Sequence, residues 1–114
     1  MNFPEDQIEE LKLLFCPDLA LATEGGTDFI RMADLKLPPG CEPGVVDALL
    51  CPASYQGYDS RLFYSSLLKT PTQRNWNANS VQILGRNWFA FSWKTKPGLR
   101  LAQMVAAHMM GLRP

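Results

Sequence analysis

Histidine is almost missing from this 114-residue chain, which holds only His108, and its three cysteines, Cys16, Cys41 and Cys51, show no CxxC spacing. Structural zinc takes four Cys or His ligands at close spacing, so neither a metal site nor a bound cofactor is expected. An odd thiol count argues equally against a disulfide framework, and reduced, packed thiols are the expectation. Long apolar runs are missing too. None approaches the roughly 18 residues that a membrane span requires, so no membrane contact is expected. The opening MNFPEDQIEEL carries acids where a secretion signal carries bases, which points to a cytoplasmic location.

Acidic residues are nearly absent from one half of the chain. Ten acids and three bases lie between Met1 and Asp47, whereas Asp59 is the one acid among eight bases from Ala48 onward. Either the basic half faces a partner, or the halves attract one another within the fold. What is plentiful is apolar material: 46% of residues are hydrophobic, with six Phe, three Tyr and three Trp. That is enough to offset the entropy of ordering, and the length suits one domain, residues 1–114.

Glu5 to Phe15 reads as a helix, with Pro4 at its start, acids in its first turn, and Ile8, Leu11 and Phe15 on one face. Leu19 to Thr23 and Asp28 to Ala33 read as strands about a Gly25-Gly26 turn. The run from Gly44 to Cys51 and the run from Arg61 to Ser65 read as two more, and Thr70 to Ser80 as a long polar loop. Val81 to Leu84 and Trp88 to Trp93 form a short pair about Gly85-Arg86-Asn87. A helix from Leu99 to Met110 closes the chain, with Leu101, Met104, Val105 and His108 on one stripe. The predicted class is α+β: an N-terminal helix, an antiparallel β-meander of about four strands, a long loop with a short strand pair, and a C-terminal helix.

Leu37-Pro38-Pro39-Gly40, then Val46-Asp47-Ala48-Leu49-Leu50, Pro52 to Tyr58, Arg61-Leu62-Phe63-Tyr64, Gly85-Arg86-Asn87-Trp88, Phe91-Ser92-Trp93 and Lys96-Pro97-Gly98 follow one another in an order with its own likeness. Over residues 19–101 the chain resembles the prokaryotic ubiquitin-conjugating-enzyme family E, with the ubiquitin-conjugating (UBC) fold. The resemblance implies a carrier that accepts the C-terminus of a ubiquitin-like protein from an activating enzyme and passes it to a target protein. The runner-up is a catalytically inactive domain that only binds the ubiquitin-like protein or the activating enzyme. Resemblance to bacterial conjugation operons further implies a role in antiphage defence.

Such chemistry needs a nucleophile beyond the fourth strand, and no cysteine lies after Cys51. Cys51 ends an apolar strand, where burial makes a thiol unreactive. The family resemblance points instead to a serine oxyester at Ser92, although Trp93 stands where the family motif has arginine and Lys94 where it has histidine. A serine needs a base. Lys94 and His108 are the candidates; His108 on an apolar stripe reads equally as packing, and Ser92 as a plain strand serine between aromatics. The resemblance also calls for an asparagine amide at the developing oxyanion, and Asn79 and Asn87, with Asn75 and Asn77 nearby, supply amides that serve equally as turn formers. Ser80 is a second candidate nucleophile. The first helix, acidic through Glu5, Asp6, Glu9 and Glu10, departs from the basic docking helix of eukaryotic conjugating enzymes. A nucleic-acid surface built on Trp76, Trp88 and Trp93 is not expected, because Trp88 and Trp93 fall on opposite faces of one strand.

Overall fold

The computed structural model describes residues 3–113. The elements are α1 (Glu5–Leu14), β1 (Ala20–Glu24), β2 (Thr27–Lys36), β3 (Val45–Cys51), β4 (Arg61–Tyr64), β5 (Ala78–Ile83), β6 (Arg86–Ala90) and α2 (Leu101–Met110). The class is α+β, with a helix at either end of one curled, antiparallel sheet in the order β1-β2-β3-β4-β6-β5. This corrects the expected meander of about four strands: the late strand pair is not a satellite, because β6 pairs with β4 through Tyr64 and Phe89 and extends the sheet to six. Neither helix is long and apolar enough to cross a membrane.

Alternation along the central strands divides the core in two. Ile30, Met32, Val46, Ala48, Leu50, Leu62 and Tyr64 face the helices, where Leu11, Leu101 and Val105 cover them. The intervening residues Phe29, Leu49, Cys51 and Phe63 face the other way, and the curl of the sheet brings Ile83, Trp88 and Ala90 onto them. All four residues of β4 are buried, since it has core on both sides. Trp88 is 1% exposed and donates its indole N–H to the Ile83 carbonyl at 3.0 Å, so it belongs to the core.

Several boundaries depart from the sequence reading, among them the start of β5, which falls at Ala78, inside the expected loop from Thr70 to Ser80. The second strand runs past Ala33 to Lys36, because a bulge with Asp34 at φ 54° breaks the register and lets Leu35 pair again with Val46. The Asp34 N–H is caught by the Asp47 carboxylate at 3.0 Å, which with Arg86 holds that carboxyl below the usual carboxylate range. The β5–β6 turn falls on Leu84-Gly85, both with positive φ, one residue earlier than expected. Most important, β6 stops at Ala90, and Phe91 to Arg100 continue without regular structure.

The charge asymmetry is used internally, at least in part. Arg100 reaches Asp6 at 2.9 Å and Glu10 at 3.1 Å, and Arg86 reaches Asp47 at 2.8 Å. Each pair joins the acidic half to the basic half. They are at least partly solvated, so each contributes little to stability; the two Arg100 pairs fix α1 against the start of α2, and Arg86–Asp47 ties β6 to β3. Gln7 completes that junction by accepting the Leu101 N–H at 3.0 Å, one of the unpaired donors at a helix start.

The end of α2 is the tightest point of packing. A Cβ built on Gly111 would lie 2.6 Å from Phe91 Cε2 and 3.0 Å from Trp93 Cδ2. Gly111→Ala is therefore expected to cost about 1–3 kcal/mol by overpacking, whereas Gly44→Ala, where the nearest atom would be 3.9 Å away, should change stability by less than about 0.5 kcal/mol. Urea unfolding of the two variants checks this; equal stabilities would contradict the packing described.

Candidate functional site

Register explains why Ser92 meets the residues it does. Because β4 and β6 run antiparallel through the Tyr64–Phe89 pair, following the chains onward brings Ser92 level with Arg61 and with the loop that precedes it. On its other side, β5 pairs Ala78 with Ala90, so the residues before Ala78 run alongside those after Ala90. The Ser92 N–H accordingly donates to the Asn75 carbonyl at 2.7 Å.

Tyr58 reaches Ser92 from a tight two-residue turn. Tyr55 and Tyr58 exchange backbone hydrogen bonds at 2.9 and 3.0 Å around Gln56 and Gly57, both with positive φ, a conformation that glycine adopts freely. The Tyr58 hydroxyl donates to Ser92 Oγ at 3.0 Å and accepts from Asn77 Nδ2 at 2.8 Å. Asn77 in turn accepts from the Arg61 guanidinium, which lies 4.3 Å from the centre of the Tyr58 ring. Ser92, Tyr58, Asn77 and Arg61 are thus one hydrogen-bonded chain, and Ser92 and Tyr58 are both partly open to solvent. Bonds from Ser92 and Asn77, followed by the charges of Arg61 and Lys94, pull the Tyr58 hydroxyl below its ordinary pKa.

Of the residues singled out by sequence, Ser92 and Asn77 are members of this chain. Lys94 is exposed and acts on Tyr58 through its charge, with no hydrogen bond to Ser92. His108 lies elsewhere: its Nε2 is 2.9 Å from Ser60 Oγ, which is 2.8 Å from Thr95 Oγ1. Ser60 and His108 are sealed, at 1% and 3% exposed, so His108 packs and pairs within the core. Asn87 sits opposite Gln82 near the β5–β6 turn, at the other end of β6 from Ser92. Asn79 and Ser80 are exposed in the β5 bulge between Ala78 and Val81. Among the described residues, no hydrogen bond links any of the three to Ser92.

Tyr58 and Arg61 were missed because they come from stretches of chain far from Ser92, whereas Asn77 was among the amides the sequence offered. The Arg61-Leu62-Phe63-Tyr64 phrase placed Arg61 on a strand without showing that its neighbour would be the Ser92 segment. The three cysteines are buried and free, and burial pushes the Cys41 and Cys51 thiols upward, away from nucleophilic use. Among the described residues, no cluster of His, Cys, Asp and Glu could hold a metal ion. No family model, curated protein or solved structure matches this chain.

Burial, followed by the Arg61 charge, lowers the His108 pKa to about 4. The unfolded imidazole titrates near 6.5, so between these values the unfolded chain binds more protons and stability rises with pH. Relative to His108→Gln, the native chain is expected to lose about 2–3 kcal/mol between pH 7 and 4.5. Urea unfolding at several pH values measures this, and parallel curves for the two proteins would contradict a buried neutral imidazole.

Proposed function

We propose that the chain is a UBC-like carrier that accepts the C-terminus of a ubiquitin-like protein from an activating enzyme as a serine oxyester on Ser92 and transfers it to a target protein. One observation carries this reading. The Ser92 hydroxyl is partly open, lies on an irregular segment directly after the last strand, and is engaged by a phenol with a lowered pKa. An acyl group on that segment is reachable from outside, whereas Cys41 and Cys51 are 7% and 0% exposed and offer no such position.

Loading is an acyl exchange. The Ser92 Oγ–carbon bond forms, the carbon–sulfur bond to the activating enzyme's cysteine breaks, and the thiolate leaves with the electron pair. Discharge repeats the exchange with an amine or hydroxyl of the target protein. The sequestration of His108 by Ser60 and Thr95 favours a second reading, a catalytically inactive domain that binds the ubiquitin-like protein or the activating enzyme.

Reconstitution with an activating enzyme, a ubiquitin-like protein and ATP separates the two. A covalent adduct is expected that survives thiol reductant, breaks in hydroxide or hydroxylamine, and disappears in Ser92→Ala. Binding with no adduct supports the inactive domain, and neither adduct nor binding removes both readings.

A further inference from the structure

We propose that Tyr58 is the catalytic base for Ser92, its phenolate taking the Ser92 proton as Oγ attacks, with Asn77 and Arg61 as positioning residues. The inference rests on the reading of Ser92 as the acyl acceptor and says how that hydroxyl becomes nucleophilic when neither histidine nor carboxylate bonds it.

The first argument is contact. Tyr58 is the one side chain that hydrogen-bonds Ser92 Oγ among the described residues, at 3.0 Å, within the reach a base requires. The second is the condition of Arg61. It is 3% exposed, yet among the described residues it makes no salt bridge. A buried cation without an anion is costly, and the groups around it are the Tyr58 and Phe63 rings and the Asn77 amide oxygen. Deprotonation of Tyr58 would create the missing anion beside it. The third is orientation. With Oδ1 occupied by Arg61, Asn77 must turn its NH₂ toward the Tyr58 oxygen, which favours the phenolate over the phenol.

The charges facing Tyr58 agree in sign. Arg61 lies on β4 and Lys94 on the segment after β6, and both favour the anion. Tyr55 shares the turn, Asp59 follows Tyr58 and is exposed, and His108 lies behind Arg61, neutral because burial and that cation lower its pKa to about 4. In the step itself, the Ser92 Oγ–carbon bond forms as the proton passes to the Tyr58 oxygen, the carbon–sulfur bond breaks with the electron pair leaving on the activating enzyme's thiolate, and solvent later takes the proton from Tyr58.

The test uses a fluorophosphonate probe on the full chain, with no activating enzyme or ubiquitin-like protein present. The Oγ–phosphorus bond forms, fluoride leaves, and the Ser92 proton again goes to Tyr58; intact mass and peptide mapping follow the rate. The expected result is labelling at Ser92 that is absent in Ser92→Ala and rises with pH through a midpoint below the ordinary tyrosine value of about 10. In Tyr58→Phe the rate should fall about 100-fold and the inflection vanish. Asn77→Ala, which keeps the phenol, should move the inflection upward, and it decides the matter should Tyr58→Phe fail to fold. Unchanged rate and profile in Tyr58→Phe, an unmoved inflection in Asn77→Ala, or no labelling of the native chain up to pH 10 would each overturn the role of Tyr58. Normal labelling combined with no adduct in reconstitution would instead fail the carrier reading and leave Tyr58 its role.

Discussion

The segment from Phe91 to Trp93 is clamped to the end of α2, and the geometry around Ser92 depends on that clamp. Trp93 donates its indole N–H to the Ala107 carbonyl at 2.9 Å, Phe91 and Trp93 close over Gly111, and Arg74 donates to the Gly111 carbonyl at 2.6 Å while its guanidinium lies 5.0 Å from the Trp93 ring centre. Trp76 and Tyr64 pack on Phe91 with ring centres 5.1 and 6.1 Å away. Two aromatic anchors, one either side, hold Ser92 between them. A stretch without regular hydrogen bonding thereby acquires a fixed shape, which the proposed chemistry needs if Ser92 and Tyr58 are to stay in reach of each other.

The clamp has a cost elsewhere. Tyr64, buried on β4 within this aromatic group, has a hydroxyl with no hydrogen-bond partner among the described residues, and burial drives its pKa well above the ordinary tyrosine value. A buried, unpaired hydroxyl costs about 1–3 kcal/mol. Two tyrosines, one on β4 and one in the turn before it, are thus driven in opposite directions. Tyr64 is walled in by apolar side chains and stays protonated, whereas Tyr58, nearer solvent and beside two cations, is biased toward its anion. Environment separates their roles, as it does for paired acids in many active sites.

How much of this was legible in the sequence depends on the range over which each signal acts. Helix starts, the Gly25-Gly26 turn and the apolar run of β3 are local, and those elements lie within a few residues of where the pattern puts them. Alternation misled at the end of β6: Trp88 to Trp93 alternate as a strand should, but the Ser92 N–H goes to Asn75 and regular pairing ends. The pairing of β4 with β6 is a long-range choice that neither strand announces, so the meeting of Ser92 with Tyr58 and Asn77 could not be read. The asparagine-rich loop was marked as a source of amides, and the one that joins the hydrogen-bonded chain at Ser92 is Asn77 rather than Asn79 or Asn87, since only the residues just before Ala78 run beside Ser92. His108 was read both as a base and as packing on an apolar stripe, and its place is the buried pair with Ser60.

The central claim is that the clamp presents Ser92 to Tyr58 closely enough for the two hydroxyls to act together. Titration of Tyr58 by NMR, with carbon-13 at the ring carbon bearing the hydroxyl, reads that coupling directly in the native chain and in Ser92→Ala. The account requires a native midpoint below about 10 that climbs when the serine is removed, because Ser92 is the largest influence lowering it. A midpoint at the ordinary tyrosine value, indifferent to the loss of Ser92, would contradict it.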